Sequence, residues 1–111
     1  MEITSQRFKH CDLVKVQGRV DSFTSPKLSE ALEKLAGEDR FKIVLDMSEL
    51  EYMSSAGFRA LLVGQRNCKR YNRGEIVLVS VPKRIMDAFE LTGFTPLFKI
   101  FDDVTGAVGS F

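Results

Sequence analysis

The sequence predicts an α/β fold: a mixed sheet of four to five strands with about four helices, opening on a β-hairpin and continuing in β/α alternation. Three observations predict it. Residues 41–45 and 75–81 are nearly continuous apolar runs, the pattern of strands buried on both faces. Between and after them, apolar residues recur at helical spacing. Before them, residues 12–17 alternate in polarity, as a strand with one buried face does.

The elements follow in order. Residues 3–9 form a first strand, and His10, Cys11 and Asp12 make the hairpin turn. In the second strand Leu13 stands apart from the Val14 and Val16 face, and Gly18 ends it. Ser25 caps a helix with Pro26 at its first position, where the missing N–H would have no partner anyway. Leu28, Ala31, Leu32 and Leu35 are its apolar stripe, and Gly37 stops it. The strand 41–45 closes on Asp46, and residues 47–54 form a loop. A second helix begins near Ser55. Phe58, Leu61, Leu62 and Cys68 mark its core side, and Arg59, Arg66, Lys69 and Arg70 its wet side. After the strand 75–81, Pro82 starts a third helix with Ile85, Met86, Phe89 and Leu91 inward and Gly93 at its end. Residues 97–101 make a last short strand. Asp102 caps a final turn that Gly106 and Gly109 weaken.

Helices between strands imply right-handed crossovers and place ligands at the carboxyl ends of the strands. The loops 18–25, 46–55 and 81–83 fall there.

Composition narrows the function. At 111 residues, with no repeat or linker, the chain reads as a single domain spanning 1–111. Sixteen Lys and Arg against fifteen Asp and Glu leave +1, without the basic excess of nucleic-acid binders. No apolar run reaches membrane-span length, and residues 1–6 lack the pattern of a secretory signal. Cys11 and Cys68 do not make a disulfide framework and read as reduced thiols in a cytoplasm. A single histidine argues against His-based catalysis and His-rich metal sites. His10, Cys11 and Asp12 are metal-ligand types, but no second pair follows at zinc spacing. Neither metal nor cofactor is expected, and the sequence sets no oligomeric state.

The most distinctive stretch is 46–57. A buried strand delivers the chain to a polar loop, then to Ser54 and Ser55 at a helix start, then to Ala56 and Gly57. Ser55 is the cap or the first residue of that helix. Unpaired N–H groups and the positive end of the helix dipole lie beside it, a setting that accepts a phosphate. The small residues after it open the backbone to a partner or a kinase. An ordinary serine cap fits the same pattern.

The run Asp46-Met47-Ser48, followed by Tyr52-Met53-Ser54-Ser55-Ala56-Gly57, resembles the signature of the STAS domain, specifically of bacterial anti-sigma factor antagonists. Gly18-Arg19-Val20-Asp21 is similar to the family's turn after the second strand. Leu91-Thr92-Gly93-Phe94 and residues 97–101 resemble its C-terminal third. The resemblance covers essentially the whole chain. It implies binding to an anti-sigma factor that is also a serine/threonine kinase, release on phosphorylation of a serine at the start of the second helix, and resetting by a serine phosphatase. The matching serine is Ser55, with Ser54 as second choice. Many members carry Asp where this chain has Ser54.

The resemblance further implies a partner surface of Asp21, Ser22, Phe23, Thr24, Ser54, Ser55, Ala56, Gly57 and Arg59. Asp21 also fits a turn residue bonding its own backbone. Asp46 fits a carboxylate that orients the serine loop. Phe23 is read first as a hydrophobic staple on the helix that follows it, with a contact anchor as the alternative. The basic residues of the second helix read as a solvated face. A serine hydrolase would need a base near Ser55, whereas His10 falls in the opposite loop region, and no nucleophile elbow or Walker loop is present. The chain is therefore not expected to be an enzyme. The remaining alternative is an unmodified STAS scaffold or regulatory subunit of a signalling or lipid-transport complex.

Overall fold

The computed structural model describes residues 1–93 and 95–111. Phe94, part of the C-terminal resemblance, lies outside them. The strands are β1 (Glu2–Arg7), β2 (Asp12–Val20), β3 (Lys42–Asp46), β4 (Leu50–Met53), β5 (Glu75–Val79) and β6 (Ile100–Phe101). The helices are α1 (Ser25–Gly37), α2 (Ser55–Lys69), α3 (Lys83–Thr92) and α4 (Val104–Gly109). A short 3-10 turn, Arg70–Asn72, follows α2, and another, Thr95–Leu97, precedes β6.

The strands run β1-β2-β3-β5-β6, with β1 antiparallel to β2 and the others parallel. β4 lies off this path and, among the described strands, pairs with β2 alone. β2 thus serves two neighbours in turn. Asp12 to Lys15 pair with β3, and Gly18 to Val20 pair with β4, with a register shift between Gly18 and Arg19. Gly18 takes φ +90°, a left-handed value that glycine adopts without a Cβ penalty. The expectation that Gly18 ends the second strand is therefore corrected: glycine here shifts the pairing, and β2 continues to Val20. The loop expected over 47–54 contains β4, which brings the described strands to six.

Alternate residues of the central strands face two apolar layers. Ile43 and Leu45 join α1, α2 and α3 on one face, and Val44 joins Ala107 of α4 on the other. Phe89 stacks edge-on between Phe58 and Phe98, with centroids 4.8 and 5.6 Å away. Leu91, expected inside, is 91% exposed. It lies six residues from Ile85, about 600° round the helix, so it points away from the Ile85 and Phe89 face.

Gln65 of α2 is buried and fully used. Its Nε2 donates to the carbonyls of Ile76 (3.1 Å) and Leu97 (2.7 Å), and its Oε1 accepts from Ile76 N–H (2.6 Å). At the lower end of β2, buried Asp12 accepts from Arg40 Nε at 2.6 Å, and Arg40 also donates to the carbonyls of Phe8 and Cys11. No helix among the described residues is long and apolar enough to cross a membrane.

Candidate functional site

β4 fixes where the second helix begins. Val20 pairs with Met53, and Ser54 N–H donates to the Val20 carbonyl at 2.8 Å. The chain after β2 and the chain after β4 therefore leave the sheet side by side. One enters the Asp21–Thr24 turn, the other enters α2.

Ser54 is the N-cap of α2 and Ser55 its first residue. The Ser54 backbone is extended, its carbonyl accepts from Phe58 N–H, and its Oγ accepts from Gly57 N–H at 3.4 Å, a long bond. Ser54 is half-buried. Ser55 is exposed, and its hydroxyl makes no hydrogen bond among the described residues. The two serines thus divide the roles that the sequence left open: one closes the helix, the other stands free in its first turn. The first turn of α2 holds no acidic residue of its own to offset the positive end of its dipole. Arg59, also exposed, follows Ser55 at i+4 on the same helix face.

Gly57 differs from expectation. It is buried, and a Cβ built on it would lie 2.6 Å from Met53 Cγ and 2.9 Å from Val20 Cγ1. Its missing side chain makes room inward, letting α2 press against the ends of β2 and β4. It offers no outer contact. Ala56 is half-buried beside it.

The adjoining turn is built by Asp21 and Thr24. Asp21 Oδ1 accepts from the N–H groups of Phe23 (2.9 Å) and Thr24 (3.0 Å). Thr24 Oγ1 accepts from Asp21 N–H at 2.8 Å and lies 2.9 Å from the Arg19 carbonyl, to which it donates. These bonds, led by the Thr24 N–H, hold the Asp21 carboxyl below its ordinary value. Thr24, not Ser25, is the cap residue of α1, and Ser25 is buried in its first turn. No side chain caps α1: where Ser25 was expected to do so, Ser25 N–H donates to the Asp21 carbonyl and Lys27 N–H to the Thr24 carbonyl.

Phe23 is 91% exposed and staples nothing. The staple partner would be Leu28, which is fully buried beneath the helix while the turn aims Phe23 and Ser22 outward. Asp46 is buried, and its Oδ1 accepts from Ser48 N–H at 3.0 Å, so it orders the start of the 47–49 connection. Asp103, one residue beyond the expected Asp102, caps α4 by accepting from Gly106 N–H at 2.7 Å.

Residues that sequence reasoning passed over extend this surface. Tyr52 of β4 is exposed and carries the Arg19 guanidinium 4.4 Å above its ring. Arg84 of α3 donates to the Glu51 carbonyl at 3.1 Å. An aromatic beside Glu51, two residues before the serine pair, was the available signal.

The one histidine of the sequence is not brought to Ser55. His10 precedes β2 while Ser55 follows its far end, about 25 Å away along a strand of this length. No cluster of three His, Cys, Asp or Glu side chains that could hold a metal occurs among the described residues. Both cysteines are buried, and burial pushes the Cys68 thiol up to about 11. What the arrangement can do is present an exposed hydroxyl at a helix start that adjoins the Asp21–Thr24 turn.

The STAS domain family model matches residues 2–107. The anti-sigma-B factor antagonist of Listeria monocytogenes is 32% identical over 100 residues, covering 90% of this chain and 86% of that protein. The crystal structure of an anti-sigma factor antagonist from Mycobacterium paratuberculosis superposes with a TM-score of 0.87 at 20% identity, over 98% of this chain and 92% of that one. The Bacillus cell fate determinant SpoIIAA in its phosphorylated form superposes with a TM-score of 0.77 at 13% identity, over 98% of both chains.

Proposed function

The chain belongs to the STAS domain family, and we propose that it is an anti-sigma factor antagonist whose partner is an anti-sigma factor with serine/threonine kinase activity. In this reading the unmodified chain docks through the Asp21–Thr24 turn and the start of α2. The kinase phosphorylates Ser55, the phosphate dissociates the complex, and a serine phosphatase restores the binding form. The protein acts in the cytoplasm as a binding switch, without catalysis of its own.

The observation that carries this reading is the contrast between the two serines. Ser55 offers an exposed, unbonded hydroxyl at the helix start, whereas the Ser54 hydroxyl is turned back onto Gly57 N–H. The named relatives support the regulatory class, and one structural neighbour is described in a phosphorylated form.

The energetics suffice. A phosphoserine brings about −1.5 to −2 charges at neutral pH. Facing one partner carboxylate at ~4 Å, each charge costs ~4 kcal/mol at an effective dielectric of ~20. A hundredfold loss of affinity needs only ~2.8 kcal/mol. The fold therefore need not change on modification.

Incubation with the cognate kinase and ATP, followed by intact mass measurement, tests the site. The native chain and Ser54→Ala gain one phosphate, and Ser55→Ala gains none. A phosphate on Ser55→Ala would refute the assignment. A native chain that gains none and binds no anti-sigma factor would favour an unmodified scaffold in a signalling or lipid-transport complex.

A further inference from the structure

We propose that the chain forms a two-fold dimer in which β1 pairs antiparallel with β1 of a second copy and α1 packs beside its counterpart. This surface lies on the sheet edge formed by β1, apart from the Ser55 face, and does not rest on the proposed function.

The first observation is the edge. β1 is six residues long and, among the described strands, pairs only with β2, so one side of its backbone has no strand partner. The opposite edge, β6, has only two residues, a length that protects itself. Natural edges are usually blunted by Pro, Lys or a bulge. Between the terminal Glu2 and Arg7, β1 offers Ile3, Thr4, Ser5 and Gln6, with none of these devices.

The second observation is the charge pattern above that edge. A groove of about 780 Å³ separates β1 from α1, and its helical rim carries Lys27, Glu30, Lys34 and Glu38. The signs alternate. Lys27, Glu30 and Lys34 make no ion pair among the described residues, and Glu38 reaches Arg7 at 2.8 Å. An antiparallel second copy places Lys27 opposite Glu38 and Glu30 opposite Lys34, twice each by symmetry. The rim is self-complementary in that orientation. A parallel copy would oppose like charges.

The two features share one axis. β1 runs antiparallel to β2, and α1 returns the chain from β2 to the parallel β3, so β1 and α1 point the same way. The Arg7–Glu38 contact ties their far ends to one level. From Glu2 to Arg7 the strand spans about 17 Å, and from Lys27 to Glu38 the helix spans about 17 Å. A two-fold axis through the middle of β1 therefore also passes through the middle of the charged rim. The strand edge supplies main-chain hydrogen bonds, and the rim supplies register.

Sedimentation equilibrium on the full chain tests this. At about 0.1 mM, a micromolar dissociation constant gives mostly dimer, read as twice the 12.5 kDa of one chain. Each charge reversal acts twice in a symmetric pair. Lys34→Glu alone and Glu30→Lys alone each raise the dissociation constant at least about tenfold. An equimolar mixture of the two variants recovers the native value, since each supplies what the other lacks. Matching circular dichroism and thermal melts show that both variants fold. A native chain that stays monomeric at this concentration overturns the proposal. So does a dimer indifferent to either reversal, or one weakened by both and not recovered on mixing.

Discussion

Ser54 donates its backbone N–H to the carbonyl of Val20 at 2.8 Å, so the last residue of β2 holds the cap of α2. That single bond sets the serine pair beside the Asp21–Thr24 turn. The consequences are measurable at each residue of the junction.

Gly57 is where the junction is tightest. Gly57→Ala places a Cβ 2.9 Å from Val20 Cγ1, an atom on a stiff β-branched side chain. Overpacking outweighs the better helix propensity of alanine, and urea unfolding reads a loss of ~1–2 kcal/mol.

The serines separate stability from signalling. Ser54→Ala removes the cap and lowers stability by ~0.5–1 kcal/mol, the low end of such losses because the bond is long. Ser55→Ala changes stability by less than ~0.5 kcal/mol. Paired thermal melts distinguish them.

Phe23 is 91% exposed, so Phe23→Ala leaves folding stability within ~0.5 kcal/mol of native. Under the proposed function it weakens capture of the anti-sigma factor about tenfold or more, as loss of an aromatic anchor does. Calorimetric titration of the two proteins reads this directly.

The Asp21 carboxyl is held below its ordinary 3.8 by the Thr24 and Phe23 N–H groups. A carboxyl depressed in the folded state adds stability above its unfolded value, and that stability is lost as pH falls through the folded value. Asp21→Asn lacks this proton linkage. Its unfolding midpoint therefore falls less steeply than the native one as pH is lowered from 5 to 2.

The Cys68 thiol, at about 11, remains protonated at pH 8, and both cysteines are buried. Iodoacetamide at pH 8 leaves the native chain unmodified and adds two groups after unfolding in denaturant, which mass spectrometry counts.

The legible parts of the fold were those in which local pattern and tertiary environment agree. β3 and β5 announce themselves through Ile43, Val44 and Leu45 and through Ile76, Val77 and Leu78, because both faces are covered. α1 and α2 were legible from Leu28, Leu32 and Leu35 and from Phe58 and Leu61. β4 was not. Its outer residues, Leu50 and Met53, are buried while Glu51 and Tyr52 are exposed, so it shows no period of two. Only its pairing with β2 makes it a strand. Phe23 misled for a related reason. The staple reading depends on the entry angle of the chain, and the Asp21–Thr24 bonds impose a different one. Leu91 shows that an apolar residue counts toward a buried stripe only when its phase is right. The place of Ser55 was visible in the motif, and which serine caps and which stands free emerged only from the geometry.

The handover of β2 from β3 to β4 also dictates where this chain tolerates changes of length. Met47 is anchored by its N–H to Val79, and Leu50 onward is locked in register with β2. Ser48 and Glu49, though tied by Ser48 N–H to Asp46 and by the Glu49 carbonyl to Gly18 N–H, belong to no strand, and the connection yields there first. An extra residue there would be extruded as a wider bend, leaving everything downstream in place. The same insertion inside Leu50–Met53 would break that register, reverse the side chains of the strand beyond it and displace Ser55 from the first position of α2.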